Sequence, residues 1–293
     1  MSEPGRSSQA PADSPIGRLH RRLRPRIRPR FKGLSFNRMI PNLLTMLGLC
    51  SGLTSMRFAI EGRFGSAVVA IVLAAAIDGL DGRLARLLKA TSRFGAEFDS
   101  LADFLCFGVA PAFVLYLWSL EAARGYGFMP CLMFAVCMAL RLARFNAALD
   151  TGTHPAYTYN FFTGVPAPAG AGLALFPLFA GLEAKSLGWT RVLAAVQSPG
   201  FCALVLIGTA TLLVSTLPVW SFKNFKVPSQ YVLPTLLGTG LFAALLVADP
   251  WAALAAAGLA YVAMLPFSSR SYRRLRREAE GAEDPVTNPL PPG

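Results

Sequence analysis

Four aspartates stand between two strongly apolar stretches of this chain: Asp78 and Asp81, then Asp99 and Asp103. A carboxylate at or near hydrocarbon depth costs several kcal/mol, roughly, unless it is paired or coordinated. Asp78 and Asp81 are three residues apart and share a face on a helix; Asp99 and Asp103, four apart, do the same. Sixteen residues separate Gly65 from Asp81, roughly 24 Å of helix at about 1.5 Å per residue. The first pair therefore falls near the end of its apolar segment, and the second pair falls in the first turns of the next. If the two segments are adjacent antiparallel helices, all four acids converge at one membrane boundary. Two readings fit. Arg83, Arg86 and Arg93 neutralise the acids, or the acids hold hard divalent cations, Mg²⁺ or Mn²⁺, in an all-oxygen site that bridges to substrate phosphates.

The elements that would position these groups are membrane spans. The chain is 54% hydrophobic and 15% charged, where a soluble domain carries roughly 25% charged residues. This predicts an all-α, polytopic helical bundle. Hydropathy places spans at about 40–60, 65–87, 98–121, 126–147, 163–183, 199–219, 230–248 and 251–268. The break at Asp249–Pro250 is short enough to make the last two an antiparallel hairpin. Residues 1–38 read as a disordered and then basic arm, 39–268 as the membrane domain, and 269–293 as a basic and then disordered tail. The run from Met39 to Ile60 is too long for a signal-peptide core.

Net charge is +12, and eight basic residues lie between Arg18 and Lys32. A second cluster begins at Arg270. Basic ends beside apolar spans point to topology and to anionic membrane lipid, not nucleic acid. The side that holds both termini, the Lys89/Arg93 turn, Lys223 and Lys226 is more basic than the other, which predicts cytosolic termini and a cytosolic carboxylate hairpin. Cys50, Cys106, Cys131, Cys137 and Cys202 lie in apolar segments without a CxxC pair and read as packing residues. Gly48 and Gly52 form a small-xxx-small pair that lets another helix approach closely.

The hairpin residues also carry a resemblance. DGLDGRLAR, eight residues, then GAEFDSLAD fits D-x₂-D-G-x₂-A-R-x₈-G-x₃-D-x₃-D. Every fixed position matches: Asp78, Asp81, Gly82, Ala85, Arg86, Gly95, Asp99 and Asp103. This resembles the CDP-alcohol phosphatidyltransferase family. The resemblance implies a six-helix core, here with two added C-terminal helices, a polar cavity, and chemistry in which CMP leaves a CDP-activated lipid as an alcohol attacks. It implies that the four aspartates hold two divalent ions, Mg²⁺ or Mn²⁺, and that Asp103 is the general base. Gly82, Ala85 and Gly95 then let the donor approach, with tight helix packing the lesser reading of Gly82 and Gly95. Arg86 contacts donor phosphate or pairs with an aspartate.

IPNLLT, RLARFN, FFTGVPAPAGAG and VSTLPVWSFK extend the resemblance over about residues 40–226, toward the membrane-integral phosphatidylserine synthases, one branch of that family. The donor implied is CDP-diacylglycerol and the acceptor L-serine, in a homodimeric enzyme of the cell membrane. Arg141 and Arg144 share a helix face and suit an acceptor carboxylate or lipid phosphate, with Asn146 beside them; ordinary flanking charge also explains the two arginines. Asn42 and Thr45 border the nucleotide cavity, or cap and pack. Another acceptor (glycerol 3-phosphate, choline or inositol phosphate) remains open, as does, from another class, a cation transporter with intramembrane acids.

Overall fold

In hydrocarbon every backbone polar group must be satisfied within its own segment, which favours long helices. The computed structural model describes residues 36–88, 92–151, 161–215, 218–220 and 229–283, with side chains over 39–88, 92–147, 164–215 and 232–268. The basic arm, His20, His154, Lys89, Lys223, Lys226 and the extreme C-terminus lie outside the described residues or side chains. Almost all described residues belong to one unit, Asn37–Gly293.

The helices are α1 (Phe36–Ile60), α2 (Phe64–Leu87), α3 (Arg93–Asp103), α4 (Ala110–Trp118), α5 (Gly125–Thr151), α6 (Ala167–Ala174), α7 (Phe176–Ser186), α8 (Thr190–Val196), α9 (Pro199–Val214), α10 (Ser229–Ala248) and α11 (Pro250–Glu283). Five stretches are long and apolar enough to cross a membrane: Met39–Ile60, Phe64–Leu87, Arg93–Trp118, Gly125–Ala147 and Pro250–Ser268. The pairs α6/α7 and α8/α9 bend by 45° and 51°, and each counts as a further span if read as one. Val232–Ala248 in α10 is apolar but shorter. The eight expected spans thus resolve into five long stretches, two bent pairs and one shorter helix. Pro177 and Pro199, each in the first turn of its helix, account for the bends, because proline starts a helix readily but interrupts a continuing one.

Two elements were not legible in the sequence. Phe161–Thr163 (β1) pairs antiparallel with Pro218–Trp220 (β2). These strands are too short to show an alternating pattern. The second is a π-helical turn, Phe104–Val109, joining α3 to α4 directly after Asp103. Pro111 follows it in α4. A proline cannot donate a backbone bond and crowds the carbonyl four residues earlier, and the wider turn relieves that conflict.

The core is apolar and centred on the π turn and on α5 packed against α9. Phe107, Leu115, Phe134, Met138, Leu206 and Leu213 are fully buried. Ser92 caps α3 by accepting from Gly95 N (3.0 Å), and Asp249 caps α11 by accepting from Ala252 N (3.2 Å). The latter, followed by Pro250, makes the tight α10–α11 hairpin. α11 continues past the membrane-length stretch to Glu283, carrying the basic cluster on helix.

Gly48 and Gly52 do set close approaches. A Cβ on Gly48 would stand 3.4 Å from Ile77 Cγ2, and one on Gly52 would stand 2.4 Å from Cys106 Sγ and 3.1 Å from its Cα. The Cys106 thiol, in turn, donates to the Gly48 carbonyl at 3.5 Å. Gly52→Val therefore pushes α1 off the π turn. The expected cost is about 1–3 kcal/mol, read as a fall of roughly 2–10 °C in the unfolding temperature of the detergent-solubilised protein. Gly208→Ala, where a Cβ meets nothing within 4 Å, should be neutral or stabilising. A Gly52→Val protein that unfolds at the parent temperature would contradict this packing.

Candidate active site

The hairpin brings its acids together as their spacing predicts. Asp78 on α2 and Asp99 and Asp103 on α3 each offer a carboxylate oxygen, and these oxygens lie within 4.8 Å of one another. All three residues are half-buried. Asp81 lies outside this triplet but lines the same small pocket, with Thr45, Gly48, Ala102, Cys106 and Phe107. It is the most buried of the four, 4% exposed.

A neighbouring helix positions Asp81. The Thr45 hydroxyl on α1 lies 2.8 Å from Asp81 Oδ2 and 3.1 Å from the Pro41 carbonyl, so its single proton serves both acceptors. This turns IPNLLT from a helix start into a support for the carboxylate cluster. Asn42, one turn away, approaches α3: a Cβ on Gly95 would stand 3.0 Å from Asn42 Oδ1 and 3.1 Å from Ser92 Oγ. Gly95 thus packs closely. Gly82 does not: nothing lies within 4 Å of where its Cβ would be. Ala85 is half-buried and Arg86 exposed on the same helix.

Among the described residues Arg83, Arg86 and Arg93 form no ion pair with the cluster: the ion pairs are Arg57–Glu61 and Arg63–Glu61, distant from the four aspartates in sequence. Arg86 donates Nε to the Gly82 carbonyl of its own helix at 3.0 Å. Three carboxylates this close in a half-buried setting cannot all ionise without a cation between them. Hard oxygen donors converging on one point, with no arginine or lysine among the described residues in ion-pair contact with them, fit a divalent metal.

RLARFN divides by role. Arg141 donates Nε to the Val165 carbonyl and acts electrostatically on Asp103, so it faces the site from α5. Arg144 donates to the Val214 carbonyl (2.8 Å) and the Ser215 carbonyl (3.3 Å), tying α5 to the end of α9. A Cβ on Gly164, whose φ is +81°, would stand 3.1 Å from Arg144 Nη2. Asn146 Nδ2 donates to Ser100 Oγ at 3.0 Å, holding α3 next to Asp99. Ser100 was not singled out from the sequence, and its place inside the aspartate motif is the only signal that could have found it.

Chain comparisons agree with this geometry. The family model described as CDP-alcohol phosphatidyltransferase matches residues 38–198, and one described as CDP-alcohol phosphatidyltransferase 2 matches residues 230–266. The chain is 41% identical over 257 residues to the CDP-diacylglycerol--serine O-phosphatidyltransferase of Mycobacterium leprae (strain TN), covering 88% of this chain and 83% of that one. It is 41% identical over 246 residues to the protein of that name from Mycobacterium tuberculosis (strain ATCC 25618 / H37Rv), covering 84% and 83%. It is 36% identical over 140 residues to the archaetidylserine synthase of Methanothermobacter thermautotrophicus, covering 45% and 54%. The intramembrane acids are thus those of a transferase and not of a transporter. With its aspartates on facing helices and both family models matched, this multi-pass helical membrane protein belongs to the CDP-alcohol phosphatidyltransferase family.

Proposed function

We propose that the chain transfers the phosphatidyl group of CDP-diacylglycerol to the hydroxyl of L-serine, giving phosphatidylserine and CMP. The observation that carries this reading is 41% identity over 88% of the chain to a relative named for that reaction. The archaeal relative is also named for a serine product.

In this reading Asp78, Asp81, Asp99 and Asp103 hold two divalent ions, Mg²⁺ or Mn²⁺. A divalent ion bound there supplies charge neutralisation on the donor diphosphate and on the departing CMP. Asp103 takes the proton of the serine hydroxyl as its oxygen bonds to the phosphatidyl phosphorus. The bond from that phosphorus to the CMP oxygen breaks, and CMP leaves with the electron pair. Thr45 keeps Asp81 in register. Gly82, Ala85 and Gly95 give cytidine and its phosphates room against the helices, with Asn42 at the border and Arg86 near donor phosphate. Arg141 binds the serine carboxylate or the lipid phosphate, while Arg144 and Asn146 fix the elements around it. The arginine and lysine bias supports cytosolic termini and a cytosolic active site in the cell membrane, with the basic ends on anionic lipid. A homodimer follows from the family resemblance.

Purified protein supplied with CDP-diacylglycerol, serine and Mn²⁺ or Mg²⁺ should form phosphatidylserine and release CMP. Release that depends on a different alcohol and not on serine would sink the serine assignment. In the same assay Asp103→Asn should lower turnover at least about 100-fold with donor binding retained, and full activity would remove Asp103 as base. Thr45→Val should raise the metal concentration for half-maximal activity roughly 10–100-fold, with Thr45→Ser restoring it. An unchanged metal requirement in Thr45→Val would leave Thr45 a packing residue only.

A further inference from the structure

A second polar cavity lies at the end of α2 away from the carboxylates. Gly65, in the first turn of that helix, is sixteen residues from Asp81, roughly 24 Å along the axis at about 1.5 Å per residue. The cavity measures about 430 Å³ and opens between the α1–α2 turn, α4, α7 and the end of α8. That volume falls within the roughly 300–1,000 Å³ typical of small-molecule sites. Arg63, Lys185 and Gln197 supply its polar wall, and Trp118, Leu182 and Leu193 its apolar wall. Among the described residues no acidic side chain lines it.

The polar groups are held in place. The Arg63 guanidinium lies over the Phe58 ring, 4.7 Å from its centre, and donates Nη2 to Ser66 Oγ at 3.4 Å. Its Nη1 is 3.5 Å from the Glu61 carboxylate, which also takes Arg57 Nε at 2.9 Å. One carboxylate facing two guanidinium groups leaves an excess of positive charge. Lys185 forms no ion pair among the described residues. Glu183, two residues earlier, does not line the cavity and engages Asp249 at the start of α11. Gln197 Nε2 donates to the Trp118 carbonyl at 3.2 Å, which leaves the second N–H of that amide for a ligand. The Gln197 carbonyl accepts from Ser119 Oγ at 2.6 Å. Trp118 in turn packs on Gly181, where a Cβ would stand 2.5 Å from its Cζ2.

We propose that this cavity binds a phosphate group, at a site separate from the aspartates and at the opposite membrane boundary. A guanidinium, an ammonium and an amide N–H on one wall match the several acceptor oxygens of a phosphate. The apolar wall receives the carbon skeleton attached to it. Two sources carry that chemistry: the headgroup of an anionic phospholipid, and free phosphate. Trp189, 58% exposed just before α8, suits the headgroup level, where indole rings gather. The site does not depend on which alcohol the enzyme uses.

The test uses the full chain in detergent micelles with a chelator present, so that no divalent ion draws phosphate to the aspartates. Equilibrium binding of radiolabelled phosphatidylglycerol and of radiolabelled inorganic phosphate is measured separately. Saturable binding of either is expected, and the probe that binds identifies the source. Lys185→Glu should weaken it at least about tenfold, and Lys185→Gln and Arg63→Gln by about three- to tenfold. Arg191→Glu makes the same charge change on an exposed residue of α8 outside the cavity. That variant and Asp99→Asn should each stay within about twofold of the parent. Saturable binding of neither probe, or equal losses in Lys185→Glu and Arg191→Glu, would overturn the proposal. So would binding that Asp99→Asn changes and the Lys185 and Arg63 variants do not.

Discussion

Mutual repulsion among carboxylates at a hydrocarbon boundary is the constraint around which this bundle is built. Asp78, Asp99 and Asp103 present oxygens within 4.8 Å of one another, an arrangement that is unfavourable without a cation. The surrounding helix–helix contacts hold the acids in place. Thr45 fixes Asp81 from α1, Asn146 fixes Ser100 from α5, and the Gly52–Cys106 approach brings α1 against the π turn just after Asp103. Each of these is a contact from a helix that carries no aspartate onto a segment that carries or adjoins one. Packing free energy therefore offsets the repulsion until a cation neutralises it, and this is how a binding site can be built ready for metal and diphosphate.

The π turn ties this polar cluster to the lipid side of the molecule. Phe107 sits within it, fully buried, and lines both the carboxylate pocket and an apolar cavity bounded also by Ile71 and Leu254. Gly108, next in the chain, would bring a Cβ to 3.0 Å from Met138 on α5. A lipid-modifying enzyme must hold charged and hydrocarbon parts of one substrate at once, and here a single turn of backbone separates the two environments. Arg141 supplies the cationic counterpart, anchored to the Val165 carbonyl and directed toward the same cluster.

The helices and the carboxylate cluster were legible in the sequence because both depend on short-range spacing. Apolar runs of span length and acids three or four apart fix faces and boundaries with no knowledge of the partners. The rest depends on which helices meet. Thr45 is 36 residues from Asp81, and Asn146 is 46 residues from Ser100, so neither pairing leaves a local pattern. Arg144 reads in the sequence as a ligand for acceptor or lipid phosphate or as flanking charge, and its bonds to the carbonyls of Val214 and Ser215, about 70 residues away, leave no local pattern. The bends at Pro177 and Pro199 were visible as prolines but not as breaks in a span. The β1–β2 pair joins segments too short to carry a period.

The central claim is that the aspartates form a divalent-cation site. Direct titration of the purified chain with Mn²⁺, followed by electron paramagnetic resonance of the free ion, tests it without substrate or turnover. The account predicts saturable binding that Asp99→Asn weakens by at least about tenfold, with the variant folded and eluting as the parent does. Equal Mn²⁺ binding by parent and variant would contradict it.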